Sequence, residues 1–331
     1  MRALEPRDPA APPPALQRRC ALLLMGPTGA GKSDLALRLA EQFPFEIVSV
    51  DSAQVYRGMD IGTAKPDLKT RERIAHHLID IRDPVTSYSA GEFVRDATQA
   101  MRKIWASGRQ PLLVGGTMLY FHALTAGLAE LPAADPRIRG EIDAQAAVHG
   151  WAALHEELAR VDPAAAARIH ANDPQRIQRA LEVYRATGLP ITRLQHRHAN
   201  VLEGVEVLEL VLAPGERGDL HRRIAERFGA MLAAGFLSEV RTLYERSDLT
   251  AEHPSMRAVG YRQAWMFLAG RCGLDEAKEK AVVATRQLAK RQLTWLRRRQ
   301  GATWLDSMHP HAASMVASAL SECGFAGWTY V

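Results

Sequence analysis

Unbroken apolar runs alternate with mixed apolar and polar stretches along this chain, and each kind predicts its own element. "CALLLM", residues 20–25, is a run of strand length with almost nothing polar in it, so it reads as a buried strand. A glycine-rich loop follows, and then a mixed stretch over about residues 33–42 that predicts a helix. "FEIVSVDSA" has the β-branched content of a second strand and ends in polar residues. "SAGEFVRDATQAMRKIWASGR" predicts a helix with Ser89 as its N-cap and Gly108 as its stop. "QPLLVGGTMLY" is another buried strand running into a glycine turn; "VEVLELVLAP" and the short "ATWLD" are two more. Strands that alternate with helices predict an α/β fold, a parallel sheet flanked by helices on both faces.

The pattern changes near Leu131. From residue 135 to about residue 192 no strand is evident, and the chain is Ala-rich and helical, broken at "VDP", "NDP" and "TGLP". This stretch reads as an inserted all-helical domain. The expected organisation is a core over residues 19–132, an insertion over 133–200 and a return to the core over 201–331. Residues 1–18, rich in Pro, Ala and Arg, read as a disordered tail.

Composition narrows the class. With 331 residues and 47% apolar content the chain can bury a substantial core, and it contains no run of about eighteen apolar residues that would span a membrane. Cys20, Cys272 and Cys323 are far apart, which fits reduced thiols rather than a disulfide frame or a zinc site. The N-terminal stretch lacks the apolar core of a secretory signal, and Glu5 and Asp8 are foreign to a transit peptide, so a cytoplasmic protein is expected. A monomer is expected too. The net charge of +5 is a mild sign of a polyanionic partner, but its distribution is more telling. Over residues 278–299 stand Lys278, Lys280, Arg286, Lys290, Arg291, Arg297, Arg298 and Arg299, against the single acid Glu279. A solvated helix face is the usual meaning of such a run; this imbalance favours contact with phosphates.

The loop after the first strand is "GPTGAGKS": Gly26, Pro27, Thr28, Gly29, Ala30, Gly31, Lys32 and Ser33. Its spacing is G-x-x-x-x-G-K-[ST]. Glycines let consecutive backbone N–H groups turn inward on a phosphate, and the following helix N-terminus adds its positive dipole end. Lys32 neutralises charge, and the Ser33 hydroxyl can join a Mg2+ shell. Nucleotide binding, with ATP as an open occupant, is the ordinary implication. Yet a P-loop NTPase usually carries an acid at the end of a second apolar strand. Here that strand ends in glycines and Thr117, with no carboxylate. The loop can therefore hold a diphosphate whose chemistry lies at its carbon end.

Asp51 stands just past the second strand, on the sheet edge that carries the loop. A carboxylate there can take a proton from a nucleophile approaching a bound phosphate ester; taken alone, it equally fits a helix cap or a turn. Its surroundings decide. "GPTGAGKS", "DSAQVYRGMDIGTAKP", "HHLIDIRDP", "YSAGEF", "LLVGGTMLY", "NDPQRIQRALEVYRATG", "RAVGYRQ" and "TRQLAKRQLTWLR" succeed one another over about residues 22–305. In content and order they resemble the tRNA dimethylallyltransferases, also called tRNA isopentenyltransferases. A C-terminal zinc finger, common in eukaryotic members, has no Cys/His counterpart in this sequence, which looks like the bacterial form.

The resemblance implies transfer of a dimethylallyl group from dimethylallyl diphosphate to the exocyclic amine of adenosine 37 of tRNA, with release of diphosphate. It implies Asp51 as general base, and Thr117 beside it in the reaction channel. It carries over as tRNA contacts Asp51, Ser52, Ala53, Gln54, Thr117 and Arg139, then Gln175, Arg176, Ile177, Gln178 and Arg179, then Arg257, Ala258, Val259, Gly260, Tyr261 and Arg262. The insertion would grip the anticodon stem-loop, and the adenosine would leave its stack to enter a channel. His76 and His77 are adjacent, so they point apart and read as structural or as channel lining, not as a metal pair. Three other readings stay open at this level: a prenyltransferase of free adenine nucleotides, an ATP-dependent small-molecule kinase, and a non-catalytic RNA-binding protein.

Overall fold

The computed structural model describes residues 19–129, 131–194, 201–309 and 312–320; the tail expected over residues 1–18 lies outside them. One compact unit is built from the described residues up to His122 and from Leu202 onward, and a second from Ala123 to Val201.

The first unit is organised by a parallel sheet of six strands: β1 (Cys20–Met25), β2 (Phe45–Val50), β3 (His76–His77), β4 (Gln110–Gly115), β5 (Glu206–Ala213) and β6 (Thr303–Asp306). They lie in the order β3-β2-β4-β1-β5-β6. β1 sits between β4 and β5 and is buried along its whole length, which is why it is an uninterrupted apolar run. Register aligns the strand ends: Met25 and Val50 both lie beside Gly115, and Met25 lies beside Val211. The loops that follow β1, β2 and β4 therefore leave the sheet at one level on its C-terminal edge, where parallel α/β sheets bind ligands.

The helices, in chain order, are α1 (Lys32–Gln42), α2 (Leu68–Arg73), α3 (Ala90–Ala106), α4 (Met118–Ala126), α5 (Pro136–Val161), α6 (Pro163–Ala166), α7 (Pro174–Thr187), α8 (Ile191–Leu194), α9 (Arg217–Ala233), α10 (Phe236–Tyr244), α11 (Tyr261–Leu268), α12 (Leu274–Leu296) and α13 (Ala312–Leu320). Ser89 caps α3 as expected: its hydroxyl accepts from the Glu92 amide while the Glu92 carboxylate accepts from the Ser89 amide. "QPLLVGGTMLY" divides in two, β4 ending at Gly115 and α4 beginning at Met118.

In the second unit the "DP" breaks turn out to be helix starts. Asp135, Asp162 and Asp173 accept hydrogen bonds from the first-turn amides of α5, α6 and α7, each with proline just inside the helix. Gly188, in the left-handed region at φ 71°, ends α7. Ile138, Ile142, Leu154, Leu158, Ile177 and Leu181 form the core of this unit. Glu182 is completely buried there and accepts from Arg139 (2.9 and 3.1 Å), Arg179 (2.7 Å) and the Asp135 amide (2.8 Å). Burial alone would raise its carboxyl; these hydrogen bonds bring it below the ordinary value instead.

Candidate active site

The loop of residues 26–33 joins β1 to α1, and two of its glycines take a left-handed backbone. Gly31, the residue before α1, has φ 87°, a conformation that an L side chain resists. Gly29 shares it, at φ 82°. The Lys32 ammonium donates to the Pro27 carbonyl at 2.8 Å, folded back across its own loop. Burial and the neighbouring Arg227 charge lower it to about 7, with the Asp51 carboxylate opposing the shift. An anion arriving in the loop reverses that balance. The Ser33 hydroxyl stands exposed at the start of α1.

The loop after β2 brings Asp51 to the same level. Its carboxylate accepts from the Ala53 amide at 2.8 Å and the Gln54 amide at 3.3 Å, a turn that fixes its orientation. The Ser52 amide donates to the Thr117 hydroxyl at 3.0 Å, so the loops after β2 and β4 are joined. A cavity of about 510 Å³ contains Asp51, Ser52 and Ala53, with Thr28 from the glycine loop and Thr117 from the end of β4. Residues 257–261 form a further wall. A smaller cavity of about 100 Å³ joins Asp51 and Gln54 to Lys32 and Ser33. Residues scattered from Thr28 to Trp295 thus line two cavities that share Thr28, Asp51 and Arg227.

Others of the expected contacts do not line the cavity of about 510 Å³. Arg262 is exposed and does not line the cavity. Gln54 turns its side chain inward: its amide donates to the Thr63 and Ala64 carbonyls (3.3 and 3.5 Å), and its oxygen accepts from the Ser49 hydroxyl at 2.8 Å. In the helical unit Gln175 and Arg176 are exposed on α7, while Gln178 donates to Asp143 at 2.7 Å. Arg139 and Arg179 hold Glu182 and keep part of each side chain in solvent. Ile177 is a correction: its side chain is fully buried in the core of that unit and presents nothing to a partner.

Two site residues escaped the sequence reading. Arg227, on α9, lines both cavities, and its guanidinium lies 3.5 Å from the Thr28 hydroxyl. Burial lowers it, while Asp51 and Asp34 support its charge. Its signal was "RRIAER", which sets Arg223 and Arg227 one helical turn apart on one face; a Cβ built on Gly31 would meet the Arg223 guanidinium at 3.1 Å. The second is Gln292, a nearly buried polar residue on α12. It accepts from the Thr28 amide at 2.9 Å and donates to the Gly116 carbonyl at 2.8 Å, tying the glycine loop to the end of β4.

The basic run coincides with α12 and the residues after it. Lys278, Lys280, Lys290, Arg291, Arg297 and Arg298 are exposed, and Arg291 and Trp295 reach the cavity. Lys280 is paired with Glu276 at 2.6 Å, and Arg299 with Glu209. His76 and His77 form the edge strand β3; His77 donates to Glu46 at 2.7 Å and His76 to the Ile74 carbonyl at 2.7 Å. Among the described residues no group of three or more His, Cys, Asp or Glu is arranged to hold a metal. None of the described helices is long and apolar enough to cross a membrane.

Known proteins agree with this arrangement. The family described as IPP transferase matches residues 54–299, and one described as isopentenyl transferase matches residues 20–85. The chain is 58% identical over 286 residues to a tRNA dimethylallyltransferase of Nitrosococcus oceani, covering 86% of this chain and 91% of that protein. The full-length tRNA isopentenylpyrophosphate transferase of Bacillus halodurans superposes with a TM-score of 0.66 at 35% identity, over 94% of this chain and 99% of its own. A eukaryotic dimethylallyltransferase caught acting on tRNA superposes with a TM-score of 0.76 at 26% identity, over 93% and 80%. The six-stranded parallel sheet with its flanking helices is the architecture of these transferases, and the chain belongs to the tRNA dimethylallyltransferase family.

Proposed function

We propose that this protein transfers a dimethylallyl group from dimethylallyl diphosphate to the exocyclic amine of adenosine 37 in tRNA. The observation that carries the reading is the shared cavity: a phosphate-binding loop opens toward Asp51 and Thr117, and β4 ends in Gly115 and Gly116 where an NTPase would carry an acid. The diphosphate lies against the backbone N–H groups of the glycine loop, with Lys32 and Arg227 beside it. The adenine amine attacks the allylic carbon; the N–C bond forms as the C–O bond to diphosphate breaks, and the amine proton passes to Asp51. Allylic carbon carries partial positive charge, so a weak amine suffices. The growing negative charge on the leaving group falls on donors already in place.

The oxygen donors present suit Mg2+, which keeps several waters and binds through few protein oxygens plus substrate phosphates. The Ser33 hydroxyl would hold it, with Asp51 in the same small cavity. Bound there, it would neutralise diphosphate charge. The protein works as a monomer, with tRNA reaching the site along α12.

The test is purified protein with labelled dimethylallyl diphosphate and, in separate reactions, tRNA, AMP, or ATP with candidate phosphate acceptors. Label should appear in tRNA alone. Transfer to AMP at a comparable rate would replace this reading with the free-nucleotide prenyltransferase, and ATP turnover coupled one-to-one with product would restore the kinase.

The basic helix gives a separate expectation. Lys290 and Arg291 are both exposed. Each phosphate contact removed lowers the slope of log affinity against log salt by about 0.7 to 0.9. Substituting both with Gln should therefore flatten the slope for tRNA by about one to two units. The loss should be similar for a tRNA lacking the target adenosine, since backbone contacts carry no sequence information. An unchanged slope would make the pair a solvated face.

A further inference from the structure

Glu239, on α10, is outside every motif singled out in the sequence, yet one carboxylate joins two walls of the cavity. Its Oε2 accepts from the amides of Asp60 (2.9 Å) and Ile61 (2.7 Å). Its Oε1 accepts from the Gly62 amide (3.1 Å) and from the Tyr261 hydroxyl (2.5 Å). Gly62 and Tyr261 both line the cavity that contains Asp51 and Thr117. They also touch: a Cβ on Gly62 would come within 2.6 Å of the Tyr261 ring and 2.3 Å of Phe236, so no side chain fits there. Phe236, one turn before Glu239, packs edge-on against Tyr261 with ring centroids 5.1 Å apart.

The held segment belongs to the loop that begins at Asp51. The Gln54 amide ties the near arm to the carbonyls of Thr63 and Ala64 in the far arm. Ala64 has φ 49°, a strained backbone for a residue with a Cβ, and such geometry persists only where its surroundings over-determine it. Lys65, whose side chain is almost entirely buried, closes the loop on Asp60 and on Asp80 at 2.6 Å. From Asp51 through Gln54 and Thr63 to Gly62, Glu239 and Tyr261 there is an unbroken series of bonded or adjacent groups, all within one unit.

We propose that Glu239 is a positioning residue for the transfer step: its carboxylate sets the Asp51 loop in register with the wall formed by residues 257–261, and so fixes where the acceptor base sits relative to Asp51. This rests on the reading that Asp51 takes the amine proton in this cavity. Glu239 touches neither substrate. None of its partners belongs to the glycine loop, so its influence falls on the acceptor side and not on donor binding.

The experiment uses the full chain with dimethylallyl diphosphate and tRNA, at a temperature where each variant keeps its circular dichroism spectrum. Glu239→Gln replaces one acceptor oxygen by an amide that faces an N–H donor. It should lower the single-turnover rate at saturating substrates by about tenfold to a hundredfold, the scale of a misplacement near 1 Å, with donor affinity within about twofold of wild type. Tyr261→Phe removes only the hydroxyl tie and should act in the same direction more weakly. The double variant should cost less than the product of the two, because both cut one connection. Rates within twofold of wild type in both single variants overturn the proposal, as does a parallel fall in donor affinity or a fully multiplicative double variant. Asp51→Asn is run alongside. Its loss of rate beside unimpaired Glu239 and Tyr261 variants rejects the clamp alone; wild-type rates in Asp51→Asn reject the reading beneath it.

Discussion

Asp51→Asn should lower the single-turnover rate of prenyl transfer by at least about a hundredfold, the usual scale for a general base, while donor and tRNA still bind. The substitution keeps the shape of the side chain and its oxygen. That oxygen can still accept from the Ala53 and Gln54 amides, so the turn that aims it is preserved. What disappears is the capacity to take a proton and the negative charge that faces Lys32 and Arg227. The second loss has its own signature: without the Asp51 charge, the two cations should hold the diphosphate at least as tightly as before. A large fall in rate with donor affinity unchanged or improved therefore separates proton transfer from substrate binding. Transfer within a few-fold of wild type would remove Asp51 from the role of base.

Much of this site is readable in the sequence because its parts are local. An apolar strand, a glycine loop and a helix must follow one another for residues 26–33 to bind phosphate, and they do. Asp51 is found by counting from the end of β2, and Ser89 announces α3 through a capping pattern confined to four residues. The misses share a different property. β3 is two residues long, too short to carry a period, and it is a strand only because β2 lies beside it. α4 follows two glycines with apolar residues that read equally well as a strand. Gln292 occupies the buried face of α12, between Ala289 and Leu296, and a polar residue there is explained only by partners more than 170 positions away. Arg227 and Glu239 are ordinary charged residues on amphipathic helices until the fold sets the glycine loop and the loop after β2 against them. Ile177 errs in the opposite sense. Its neighbours place it in a contact motif, whereas its own apolar side chain belongs inside.

Lys32→Ala should act on the other half of the reaction. In this structure Lys32 is half-buried as a residue, while its ammonium is buried, lies beside Arg227 and donates to the Pro27 carbonyl. Those surroundings disfavour a positive charge in the absence of an anion, so the loop holds a cation whose environment improves when a diphosphate arrives. Removing it should weaken binding of dimethylallyl diphosphate by about tenfold to a hundredfold, the equivalent of one charge-assisted hydrogen bond. The effect on transfer at saturating donor should be larger still. Negative charge on the diphosphate grows as the C–O bond breaks, and losing one preorganised partner for such charge costs about a hundredfold to a thousandfold. Arg227 remains, so Lys32→Ala should not abolish binding, and Arg227→Gln added to it should. Omission of Mg2+ should weaken transfer in the same direction as Lys32→Ala. tRNA affinity measured without donor should stay within about twofold, since Lys32 does not line the cavity of about 510 Å³ that holds Asp51 and Thr117, where the acceptor base is expected. Equal losses in donor affinity and tRNA affinity would mean that the loop holds the polynucleotide and not the diphosphate, and would return the prenyl donor to some other wall of the site.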